Sequence, residues 1–215
     1  MNHDSLVTTM NREERRAAAR EGILAAAHRQ LAEGGCASAS VAAVAARAAV
    51  ASGSLYRHFP SRAELLAEVV GDALRAEHAL LVRAIEGLPP RAALVAWVRT
   101  VAERALHAPV LTHALLAEPT DPVVDAVRLR ERAAQEETLA ALLDDGARGG
   151  AWPRGDAAAQ AAAITGALRG ALVGPAAAAR LGPRPDVRAE AETLGTFVLG
   201  AVGVRRAELL RPGPR

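Results

Sequence analysis

Apolar residues recur at three- and four-residue spacing over almost the whole of this chain, and the strict alternation of a half-buried strand appears almost nowhere. That pattern restricts the fold to helices packed on helices, an all-α protein of about nine helices. Composition pushes the same way. Alanine dominates, and every one of the 26 basic residues is arginine; both are good helix formers. The absence of lysine reads as the coding bias of a GC-rich genome before it reads as function.

Local signals place the helices. Asn11-Arg12-Glu13-Glu14 has the form of a capping box, and Ile23, Leu24, Ala27 and Leu31 share one face of the helix it opens. Gly34-Gly35 ends that helix. Ser40 opens a short second helix with Val41, Val44, Ala45 and Ala48 inward, and Ala49-Val50-Ala51 breaks it. A third runs from Ser52 to about His58, where Pro60 forbids continuation. Ser61-Arg62-Ala63-Glu64 is a second capping box, starting a long helix to about Glu86. Further helices are expected over roughly 90–107, 109–117, 122–145, 156–173 and 186–207, with Asp121-Pro122 and Pro185-Asp186 as starts. At 215 residues the chain has room for a small unit over 1–60 and a larger one over 61–215.

Several function classes are disfavoured. The single cysteine, Cys36, rules out an intrachain disulfide and a cysteine metal cluster. His78, His107 and His113 lie on separate helical stretches, no HExxH or phosphate loop is present, and Glu136-Glu137 and Asp144-Asp145 read as solvated faces. The expectation is a protein that is not an enzyme and holds no cofactor or metal. The N-terminal stretch lacks the apolar run of a signal peptide, and runs such as Ala157–Leu168 and Thr193–Val204 fall short of a membrane span. A cytoplasmic location is expected, with no membrane partner.

The sharpest signal is SVAAVAARAAVASGSLYRHFPSRAELL, Ser40 to Leu66. Two short amphipathic helices joined by a three-residue turn make a helix-turn-helix. Ala45 is small where two helices cross, Val50 can plug the interface, and Leu55 and Phe59 fall on one inner face. Ser52, Gly53, Ser54, Tyr56, Arg57 and His58 are left largely outward, which suits an element entering a major groove by its N-terminus. From Gly34 to Ala63 there is no Asp or Glu, although the chain holds 24 of them; an acid-free surface suits a polyanion, and a chance gap in an alanine-rich stretch is the bland alternative.

These residues resemble the TetR/AcrR signature of transcriptional regulators: Val44-Ala45, Ala48, Val50, Gly53, Leu55-Tyr56, His58-Phe59, Arg62 and Leu65-Leu66. The likeness covers about residues 12–75. It implies a repressor that binds a palindromic double-stranded DNA operator as a homodimer and is released by a small-molecule effector. The candidate DNA-binding residues are Ser40, Arg47, Ser52, Gly53, Ser54, Tyr56, Arg57, His58 and Arg62. Two departures stand out. Ala49 occupies the turn where the family usually has glycine, and Ala51 stands where it usually has a capping Ser or Thr. Each departure should weaken the motif by about 1 kcal/mol. They keep open an alternative, a helical small-molecule-binding or scaffold protein with a vestigial helix-turn-helix.

Gly166, Gly170 and Gly174 repeat every fourth residue, a spacing that lets helix backbones approach closely. With Phe197, Leu199, Gly200 and Val204 they are expected to form the dimer interface on the last two long helices, the pairing the resemblance implies. The effector is expected to be small and largely apolar, bound among helices of roughly 90–175. Trp97 and Trp152 are its candidate walls, and Arg104, His107, His113 and Glu118 its candidate orienting groups, with core or surface roles as the alternatives for each.

Overall fold

The computed structural model describes residues 12–204, and its regular structure there is entirely helical. Ten helices follow one another: α1 (Arg12–Ser38), α2 (Val41–Arg47), α3 (Ser52–Leu55), α4 (Arg62–Ile85), α5 (Pro90–His107), α6 (Pro109–Leu116), α7 (Pro122–Arg148), α8 (Ala157–Leu172), α9 (Gly174–Leu181) and α10 (Val187–Ala201). Asn11, expected to cap the first helix, lies outside the described residues.

The helix beyond the expected nine is α9. Its Gly-Pro start looks like a terminator in the sequence, but a proline in the first turn forfeits no hydrogen bond, because the first amides of a helix have no intrahelical partner. The expected starts are capped as their chemistry demands. Ser40 Oγ accepts the Ala43 N–H, Ser61 Oγ the Glu64 N–H, and the carboxylates of Asp121, Asp156 and Asp186 the N–H groups of Val123, Ala159 and Ala189.

Two apolar clusters organise the packing. The first joins Ile23, Leu31, Val44, Leu55, Phe59, Leu65 and Val70 with Ala114, Leu115 and Val124. The second joins Leu81, Leu94, Trp97, Leu139, Leu143, Trp152, Ile164 and Val198. Helix α4 runs through both, its first half in one and its Leu81 in the other. The sequence assigns α6 to the larger unit, yet its apolar face is in the first cluster, against α1. Polar ties fix α4 along its length: Arg20 to Glu68 at 2.5 Å, Arg75 to the buried Glu131 at 3.0 Å, and His78 Nε2 to Thr138 Oγ1 at 2.8 Å. No helix of the described residues is long and apolar enough to cross a membrane.

Candidate nucleic-acid interface and ligand cavity

Leu55 and Phe59 are both buried, at 0% and 2% exposure, and anchor the α3 segment to the first cluster. Burying each stabilises that placement by about 1.5–3 kcal/mol. Their four-residue spacing turns Ser52, Gly53, Tyr56 and Arg57 to solvent, with Tyr56 52% exposed and Ser54 and His58 partly so. The helix is shorter than the expected span to His58. After Leu55 the chain continues as turns, with the Arg57 N–H on the Ser54 carbonyl and those of His58 and Phe59 on that of Leu55.

Both departures seen in the sequence have structural consequences. Ala49 has φ 55°, the left-handed region, and is the one non-glycine residue there among the described residues. Ala51 occupies the N-cap of α3, and no side chain caps that end. Ser52 does not take over, because it is already the first helical residue.

The cations divide by their partners. Arg57 Nη2 donates to Ser54 Oγ at 2.6 Å and stays exposed. Arg47 is engaged in a two-point pair with Glu33, at 2.7 and 2.6 Å, on the surface. Arg62 donates Nε to the Ala39 carbonyl at 3.0 Å and Nη2 to the Cys36 carbonyl, so it staples the start of α4 to the end of α1. Arg20 stacks 4.9 Å over the Phe59 ring. Partial burial, and then Arg16, Arg57 and Arg20, hold the His58 imidazole below its ordinary pKa. The arginines favour an anion at this place, whereas the burial disfavours charge of either sign.

The sequence offers Glu118 as an effector ligand; in the structure it serves elsewhere. Its carboxylate accepts the backbone N–H groups of Cys36 and Ala37, just ahead of α2. Arg128 holds the same corner from below, donating to the carbonyls of Ala114 and Glu118. Arg169 donates to the Leu116 carbonyl. The end of α6 thus rests on two arginines from α7 and α8 and presents its acid to the helix-turn-helix. Cys36 lies in this corner, its thiol pushed up to about 11, chiefly by burial.

Two adjoining cavities, of about 80 and 100 Å³, lie among α4, α5, α6 and α7, the first reaching α8, and share Leu74, Leu81, Val101, Ala105, Leu116 and Gln135. Of the six candidates for effector contact, Trp97 lines the first and Arg104 the second. Arg104 also pairs with Glu77. His113 lines a separate groove of about 430 Å³ against α9. His107 is exposed, Nδ1 on the carbonyl of Glu103. Trp152 lines neither cavity: it is buried, donates Nε1 to the Leu143 carbonyl at 2.9 Å, and lies flat on Gly146. Sequence reasoning missed Arg128, Arg132 and Arg169, which line the first cavity, because Arg132-x-x-x-Glu136 reads as an ordinary surface pair along a helix.

The expected interface residues also separate. Gly166 and Gly170 are exposed on α8, with open space where a side chain would begin, and Phe197 and Gly200 are exposed on α10, Phe197 at 54%. Gly174 lies beyond α8, at the start of α9 with φ 89°, so it does not extend the stripe. Leu199 points into the second cluster of this chain, because a helix with one face in a core cannot present every apolar residue outward, and Val204, past the end of α10, is buried in the same cluster.

Residues 23–69 match the family model for bacterial regulatory proteins, tetR family. No match is found among curated proteins. Solved structures are similar over nearly their whole length. The fatty acid degradation regulator FadR from Bacillus halodurans superposes with TM-score 0.69 at 19% identity, over 86% of this chain and 99% of that one. RolR in complex with resorcinol gives 0.68 at 21%, over 95% and 99%. A putative transcriptional regulator from Pseudomonas aeruginosa PAO1 gives 0.67 at 24%, over 96% and 99%. At these identities the likeness shows the fold.

Proposed function

We infer the working of this protein from the premise that it belongs, by the region it carries over residues 23–69, to the tetR family of bacterial regulatory proteins. It acts as a cytoplasmic transcriptional repressor with a DNA-binding unit over 1–60 and an effector-binding and dimerising unit over 61–215. The observation that carries this reading is the outward set Ser52, Gly53, Tyr56 and Arg57, held by buried Leu55 and Phe59. Tyr56 and the serines position the segment on phosphates, with Ser40 at the α2 N-terminus, while Arg57 reads a base edge. Gly53 admits the backbone close to the duplex, and His58 donates to a phosphate. Arg47 and Arg62 add charge at the rim from within their existing bonds.

Two copies pair through the exposed α8 and α10 faces, Gly166 and Gly170 against Phe197 and Gly200. A dimer then reads a palindrome with half-sites about one helical turn apart or a small multiple of it. A small, largely apolar effector occupies the cavities beside Trp97. RolR has been seen with resorcinol, a molecule of that size class. Binding that favours one setting of α4 over another changes the spacing of the two reading heads.

Replacing Tyr56 and Arg57 together by Ala tests the assignment. Operator binding, measured with duplexes from the gene's own upstream region, should be lost while helicity and dimer mass stay unchanged. A double variant that binds as tightly as the parent at equal salt refutes the recognition segment, and a parent that binds no such duplex favours a ligand-binding protein with a vestigial motif.

A further inference from the structure

The cavity that would take the effector is lined mostly by apolar side chains, with Gln135 and Thr165 the neutral polar ones, and carries its charge at one end. There Arg128, Arg132 and Arg169 converge, and the same three residues line an open depression of about 500 Å³ on the outer surface. They therefore stand between the cavity and solvent. Two of the three have a carboxylate partner among the described residues and one does not. Arg128 pairs with Asp125 at 2.8 Å and Arg132 with Glu136 at 2.7 Å, while no carboxylate pairs with Arg169 among the described residues. Glu118 also faces the depression, but its two oxygens are taken by the amides of Cys36 and Ala37.

A second observation points to a missing partner. The Arg128 side chain is 11% exposed, and its Nε is buried with no hydrogen-bond partner. Buried polar groups are nearly always satisfied, so this Nε is a donor in want of an acceptor. Burial, and then Arg132 and Arg128, hold the Arg169 guanidinium below the ordinary arginine range. One added negative charge would give Arg169 a partner and offset the repulsion it feels from Arg132 and Arg128.

We propose that Arg128, Arg132 and Arg169 bind the carboxylate of a small organic monoacid whose apolar body fills the cavity beside Trp97. The proposal rests on the effector reading above and names its chemical class. The two adjoining cavities are on the scale of the ~150 Å³ apolar cavity that accepts a benzene ring, which limits the body to about one ring or a short chain. A monoanion would give Arg169 the ion-pair partner it lacks among the described residues, and guanidinium groups take a carboxylate by paired hydrogen bonds. The acid would also draw on the guanidinium groups that hold the carbonyls of Ala114, Leu116 and Glu118. It therefore acts on the corner from which Glu118 grips Cys36 and Ala37, and so on the helix-turn-helix.

The test is calorimetric titration of the full chain with benzoate and hexanoate, each against its neutral amide. At least one acid should bind at millimolar concentration or below, with its amide at least tenfold weaker. Arg132→Gln should weaken that acid roughly 10- to 100-fold with the melting temperature retained, because among the described residues Arg132 bonds only to Glu136. Arg169→Gln should weaken it similarly, and Arg169→Lys should restore part of the loss. The idea is overturned if the amides bind as well as the acids, if Arg132→Gln and Arg169→Gln bind like the parent, or if neither acid binds. Amides that match the acids would leave an apolar effector standing, and operator binding through Tyr56 and Arg57 is measured independently of every arm.

Discussion

Glu118 accepts the backbone N–H of Cys36 at 2.7 Å, across 82 residues of sequence. Gly35 makes this approach possible: a Cβ there would lie 2.6 Å from Glu118 Oε2, and its φ of 75° is one that side chains rarely adopt. Glu118→Gln should lower unfolding free energy by about 1.5–3 kcal/mol, the scale of a hydrogen bond to a charged group, and should weaken operator binding with it. Gly35→Ala should do both more strongly. Urea denaturation alongside operator titration checks the pair; a Glu118→Gln variant of parental stability would show that the corner is held without it.

The turn ahead of the recognition segment leaves stability unused. Ala49→Gly relieves the left-handed alanine and should stabilise the fold by up to about 1 kcal/mol. Ala51→Ser supplies the missing cap and should add about 1 kcal/mol. The two effects concern different bonds, and thermal melts of the single variants and the pair will show whether they sum. No rise in either single variant would mean that the turn relaxes away from the observed φ.

Gly146 and Trp152 pack in close contact. A Cβ on Gly146 would stand 2.0 Å from Trp152 Cζ2, so Gly146→Ala must displace the ring and break its bond to the Leu143 carbonyl. The expected loss is about 1–3 kcal/mol or more. Because Trp152 lines neither cavity, benzoate affinity measured below the melting transition should change little.

His58 gives the fold a pH dependence with a definite sign. Its folded pKa lies below the ordinary 6.5, so as pH falls through the window beneath that value the unfolded chain takes up the proton first. Stability is undiminished above 6.5 and falls until the folded imidazole also titrates. Comparing the parent with His58→Gln between pH 7.5 and 5.5 isolates this part, and the parent should lose more. Equal losses would place the histidine outside the arginine field.

Phe197 is exposed on α10 and shares a groove with Gln160, Ala163 and Ile164 of α8. If that face joins two copies, Phe197→Glu should yield monomers by light scattering at micromolar concentration, with unchanged helicity, because burying an unpaired charge at a symmetric contact places it there twice. A variant that stays dimeric moves the interface elsewhere.

The sequence by itself determined the helical architecture, most helix starts and the inward pair Leu55 and Phe59. These depend on side-chain period, on capping chemistry within three residues, and on the backbone limits of proline and glycine, all of which are local. The resemblance also pointed to strain at Ala49, because the family usually has glycine at that turn. Tertiary structure alone decided the rest. That Glu118 reaches Cys36, that Trp152 serves the core rather than a cavity, that Leu199 and Val204 turn inward, and that Arg128, Arg132 and Arg169 meet at one end of a cavity all follow from how α6, α7, α8 and α10 pack. A helical repeat says which residues share a face, but charged and small residues occupy exposed and buried faces alike. Which partner each face meets is set by packing between segments tens of residues apart.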